Sequence, residues 1–129
     1  TGRNQKEIRF LMASVRMEKV ARLIQHELGG IFLHRLNDPE LGFITITKVR
    51  LTPDLKIARI YISVYDKDKR VLILEKISHI KKLIRAELAA KISLRSVPDL
   101  EFFIDDTMDY VEKIDSLFKK IHKDDYEKD

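Results

Sequence analysis

The sequence predicts an α+β domain in which a three-stranded sheet carries helices on one face, a two-layer sandwich. Three observations lead there. Apolar residues in 14–36 and 69–92 recur at three- and four-residue spacing, β-branched residues in 43–65 alternate across a short turn, and a lone strand-like run follows at 100–104. The chain has 129 residues, the size of one domain.

The first helix is expected over 14–36, with Ser14 as N-cap. Val20, Leu23, Ile24, Leu28 and Ile31 form its apolar stripe, while Arg16, Lys19, Arg22 and His26 fall elsewhere. Residues 1–13 are read as a flexible N-terminal extension. Gly29-Gly30 weakens the helix interior by about 1 kcal/mol per glycine, which predicts a bend or fraying there. Asn37-Asp38-Pro39 is a stop, because the residue before proline is pushed out of the helical region.

Phe43 to Leu51 reads as a strand, Thr52-Pro53-Asp54 as a turn, and Leu55 to Tyr65 as the returning strand of a hairpin. Ala58, Ile60, Ile62 and Val64 share the buried face. Arg59 and Tyr61 lie on the wetter face, open to a partner. The helical period returns from Lys69 to Ile92 with Ile73, Ile77, Ile80, Ile84 and Leu88, and its length predicts a bend midway. Ser96-Val97-Pro98 ends it. Leu100 to Ile104 is the third strand. Asp106 or Thr107 is expected to cap a last helix built on Val111, Ile114, Leu117, Phe118 and Ile121. The domain is thus expected to span 14–121, with 122–129 as a charged tail.

Composition narrows the function. Hydrophobic residues are 44% and charged residues 36%, with no cysteine, so a disulfide scaffold, a thiolate zinc site and thiol catalysis are excluded. No apolar run approaches membrane-spanning length. The net charge of +4 is unevenly spread: residues 67–95 hold nine Lys or Arg against three acids, and residues 99–129 hold five against eleven. A basic middle beside an acidic end attracts a polyanion to one pole.

Individual motifs are weak. Asp105-Asp106-Thr107-Met108-Asp109 matches a magnesium-diphosphate pattern, but a helix cap with Asp106 and Asp109 explains it better. His26, His34, His79 and His122 have no metal-ligand spacing, and nucleophile elbows and phosphate-binding glycine loops are missing. Gly42-Phe43-Ile44-Thr45-Ile46 faintly suggests an RNA-stacking strand, although Phe43 reads better as core. The strongest signal is basic: Ser78, Lys81, Lys82 and Arg85 share one stripe, with Lys76, Lys91 and Arg95 nearby. Arg16, Lys19 and Arg22 are positioned to extend it. Lysine dominates without interleaved aromatics, which suits tracking of a phosphate backbone.

Four blocks in order carry a family resemblance: Arg16 to Leu28 (RMEKVARLIQHEL), Asn37 to Leu51 (NDPELGFITITKVRL), Asp54 to Ser63 (DLKIARIYIS) and Leu94 to Asp106 (LRSVPDLEFFIDD). Together with the helix through Ile121 they resemble bacterial ribosome-binding factor A. The resemblance implies a type II KH-like fold, α-β-β-α-kink-α-β, followed here by a C-terminal helix. It implies a cytoplasmic, monomeric, non-catalytic factor with no cofactor or metal, involved in cold adaptation. Its partners would be the 30S ribosomal subunit and 16S rRNA, whose late maturation and 5′-end processing it would assist. The phosphate-facing residues would be Lys76, Lys81, Lys82, Arg85, Lys91, Arg95, Arg16, Lys19 and Arg22. The family's A-x-G kink should fall at Ile80-Lys81-Lys82, where neither small residue stands. The rival reading is a protein-interaction module using the open sheet face or its edge.

Overall fold

The structure, a computed structural model, describes residues 4–127; of 122–127 only the backbone is described. Helix α1 (Gln5–Arg35), strands β1 (Ile44–Leu51) and β2 (Ile57–Val64), helix α2 (Arg70–Lys91), strand β3 (Asp99–Ile104) and helix α3 (Thr107–Glu127) follow in order, with one 3-10 turn at Lys67–Lys69. The sheet order is β1-β2-β3. β2 pairs antiparallel with β1 and parallel with β3, which requires α2 as the crossover. The expected α+β architecture is present.

The core follows the two periods. Ile24, Leu28, Ile31 and Phe32 of α1 and Ile73, Ile77, Ile84 and Leu88 of α2 meet Ala58, Ile60, Ile62 and Val64 of β2 and Leu100 of β3. Each such Ile or Leu contributes about 1.5–3 kcal/mol of transfer free energy. Phe32 also stacks on Phe102 of β3, with ring centroids 5.9 Å apart.

Several boundaries differ from the sequence reading. α1 starts at Gln5, where Asn4 accepts a 2.8 Å hydrogen bond from the Glu7 amide, so residues 5–13 are helical and Ser14 lies inside the helix. Nothing in 5–14 breaks a helix once a cap is supplied. Residues 1–3 lie outside the described residues. α1 also runs unbroken through Gly29-Gly30, where an added side chain would meet no neighbour within 4 Å. Phe43 is 81% exposed and precedes β1, so it is not core.

β1 carries a bulge at Thr47: Ile46 faces Ile62, but Lys48 faces Tyr61. The extra residue shifts the alternation, so Ile44 and Ile46 point inward before it and Val49 and Leu51 after it. In the connecting turn Asp54 accepts hydrogen bonds from the Thr52 hydroxyl at 2.6 Å and the Lys56 amide at 3.1 Å. Leu55 is forced to φ +60°.

α2 is one continuous helix, with no interruption at Ile80-Lys82. Ile73 and Ile77 stay in phase with Ile84 and Leu88 across that point, and lysine is a good helix former. The place of the expected kink therefore does not interrupt the helix. α3 departs most. Val111, Ile114, Leu117, Phe118 and Ile121 are all at least half exposed, so they are not part of the core. Asp106 stands just before the first residue of α3, and the side-chain hydrogen bonds at this end go to Asp105, whose carboxylate accepts from the Thr107 amide at 3.0 Å and the Thr107 hydroxyl at 2.5 Å. The helix continues to Glu127, past the end of the apolar pattern, and residues 128–129 lie outside the described residues.

Candidate nucleic-acid interface

The basic residues divide among three places. Helical geometry puts Lys81, Lys82 and Arg85 on the flank of α2 that faces the approach to β3. Arg85 donates to the Val97 carbonyl at 2.8 Å and the Pro98 carbonyl at 3.3 Å, and its Nε lies 3.5 Å from the Asp99 carboxylate. It therefore fastens the loop into β3 and offers only part of its charge outward. Lys82 is exposed and Lys81 half-buried, and neither forms an ion pair among the described residues. Lys91 and Arg95 are exposed at the end of α2 and just beyond it.

Lys76 leans the other way. Its ammonium is 3.8 Å from Asp38, at the end of α1, on the side where Arg35 bonds Glu87. It does not join the Lys81–Arg85 flank. Arg16, Lys19 and Arg22 are exposed on α1, with Arg22 held 2.8 Å from Glu18. This part of α1 meets β1 in a shallow groove of about 220 Å³ lined by Met17, Glu18, Ala21 and Lys48 to Leu51.

Among the described residues no group of three or more His, Asp or Glu is placed to hold an ion. Asp109 instead takes both guanidinium nitrogens of Arg70, at 2.8 and 2.9 Å. That hydrogen bonding, helped by the charges of Arg70 and Lys67, holds the Asp109 carboxyl below the usual carboxylate range. Lys67 donates to Glu112 at 3.2 Å, which raises its own pKa. Asp105 is pushed down to about 2, first by the Thr107 hydroxyl and then by Thr47, whose hydroxyl donates to it at 2.6 Å. All these carboxylates are spent on holding α3. Among the described residues no helix is long and apolar enough to cross a membrane.

The comparisons with known proteins decide the family. The sequence model described as Ribosome-binding factor A matches residues 16–118. The chain belongs to the ribosome-binding factor A family. It is 43% identical over 107 residues to the ribosome-binding factor A of Desulfatibacillum aliphaticivorans, covering 82% of this chain and 87% of that one. To that of Thermodesulfovibrio yellowstonii it is 38% identical over 108 residues, 84% of this chain and 92% of the relative. Among solved structures it is similar to the crystal structure of ribosome-binding factor A from Thermus thermophilus, with TM-score 0.59 and 24% identity over 68% of this chain and 94% of that one. It is also similar to a homology model of the Thermus thermophilus factor fitted into the cryo-EM map of a 30S–RbfA complex, with TM-score 0.56 and 25% identity over 64% of this chain and 88% of that one.

Sequence reasoning missed Lys48, Arg50 and Phe103, which join Arg59 and Tyr61 on the outer sheet face. A signal for Lys48 was available in the broken alternation of Ile44, Ile46, Val49 and Leu51, which marks the bulge.

Proposed function

We propose that this ribosome-binding factor A family member is a non-catalytic assembly factor that docks on the small ribosomal subunit through 16S rRNA and assists its late maturation, including 5′-end processing. The observation that carries the reading is the likeness to the factor fitted into the 30S complex. The geometry agrees with it. Lys81, Lys82, Lys91 and Arg95 lie without ion-pair partners among the described residues, and such cations suit phosphates. The mechanism is differential binding: the protein favours the rRNA conformation that matches its surface and does so without bond chemistry. Affinity then falls steeply with salt as phosphate counterions are released.

Co-sedimentation with small subunits at low and moderate salt tests this. Lys81→Glu with Lys82→Glu should leave the melting temperature unchanged and abolish co-migration. Undiminished co-migration of that variant would remove α2 from the docking surface. Salt-insensitive association with a single protein would favour the interaction-module reading.

A further inference from the structure

The face of the sheet opposite the helices is open, and its middle row is ordered across all three strands. Tyr61 of β2 lies beside Phe103 of β3 in register, the two rings stacked with centroids 5.5 Å apart and planes 28° from parallel. On the other side Lys48 of β1 sets its ammonium 5.4 Å from the Tyr61 ring centroid. The bulge at Thr47 is what aligns Lys48 with Tyr61. Phe103 is 40% exposed and stands on an edge strand, so nothing in the sheet covers its far side.

The neighbouring row holds Arg50 directly opposite Arg59. Like charges facing each other across an antiparallel pair are destabilising. Both are exposed, and neither they nor Lys48 form an ion pair among the described residues. Three acids, Asp99, Glu101 and Asp105, share the face with these three cations. Asp105 is occupied by Thr47 and Thr107, Asp99 lies against Arg85, and Glu101 stands beside Arg59 in the register. An aromatic pair whose outer ring, Phe103, is exposed, flanked by cations without ion-pair partners among the described residues, matches a single-stranded nucleic acid, whose bases stack and whose phosphates need counter-charge. A duplex, with its bases already stacked, has no use for the rings.

We propose that the outer sheet face is a binding site for unpaired RNA, with a base stacking on the open side of Phe103, which Tyr61 backs, and Lys48, Arg50 and Arg59 receiving the phosphates. This site lies on the opposite side of the sheet from α2 and does not rest on the α2 reading.

The test is titration of the full chain with a fluorescently labelled short oligouridylate, followed by competition with unlabelled single-stranded and duplex RNA. Tyr61→Ala and Phe103→Ala should each weaken binding by roughly tenfold, while Tyr61→Phe keeps it, because the ring and not the hydroxyl does the stacking. Arg50→Gln with Arg59→Gln should flatten the salt dependence. Circular dichroism melts show whether each variant is folded, and Tyr61→Phe serves as the folded reference. Unchanged affinity in folded Tyr61→Ala, or equal competition by duplex RNA, overturns the proposal.

Discussion

Arg70 and Asp109 form a two-pronged ion pair, with parallel contacts of 2.8 and 2.9 Å joining the first turn of α2 to the first turn of α3. With Lys67 on Glu112 it grips α3 by its polar edge, and the stripe through Val111, Ile114, Phe118 and Ile121 lies on the helix side turned away. Replacing Arg70 by Lys loses the fork that matches a carboxylate. In Arg70→Lys, proteolysis within α3 should accelerate several-fold while the melting temperature of the core changes little. Equal cutting rates in the two proteins would show that the pair does not hold the helix.

Because the stripe buries nothing, polar substitutions there should be tolerated. Ile114→Asp with Phe118→Asp should leave the thermal midpoint within the scatter usual for surface changes, about 0.5 kcal/mol. Ile84→Ala, under the sheet, should cost about 2–5 kcal/mol. A comparable loss in the α3 double variant would place the stripe against the domain.

Asp105 sets an acid limit. Its folded-state pKa, about 2, lies below the ordinary carboxylate value of 3.8, so its contribution is present at neutral pH. It is lost as pH falls from near 4 toward 2. Thr47→Val removes one of the hydroxyls that depress it, and unfolding of that variant should begin at higher pH in an acid titration followed by circular dichroism. Identical acid profiles would separate Thr47 from the stability of the α3 junction.

Arg85 and Lys82 are three residues apart and should behave differently. Arg85→Ala removes the hydrogen bonds to Val97 and Pro98 and should cost about 1 kcal/mol of stability. Lys82→Gln should leave stability alone and reduce the salt slope of subunit binding by about one. Denaturant melts and salt titrations read the two effects separately, and the reverse assignment would exchange their roles.

Leu55 holds a left-handed backbone angle, φ +60°, that suits glycine. Leu55→Gly should relieve about 1 kcal/mol of steric cost, less the added freedom of the unfolded chain, and raise the urea midpoint slightly. A lowered midpoint would mean that the half-exposed leucine side chain contributes more than its backbone costs.

The sheet and the inner faces of α1 and α2 were legible because alternating Ile and Val in β2 and spaced Ile and Leu in the helices have one consistent way to be buried. The start of α1 was not, because residues 5–13 have no core position and only Asn4 marks the end. α3 misled for a different reason: its apolar spacing is regular, but the contacts that place it come from Asp109 and Glu112 on the other side. The basic site was legible as residue types. Its division was hidden until Lys76 met Asp38 and Arg85 met the Val97 carbonyl, since neither partner is near in sequence.

The central strand acquires its two neighbours by unequal routes, and this orders the events of folding. β1 returns to β2 through a tight turn and can zip up within microseconds. β3 arrives only after the whole of α2 has been made, at a greater entropic cost of loop closure. A nascent chain therefore carries a hairpin with one bare edge until its final third is synthesised, and in that interval the Ala58-to-Val64 stretch is the segment most prone to pair with the wrong neighbour.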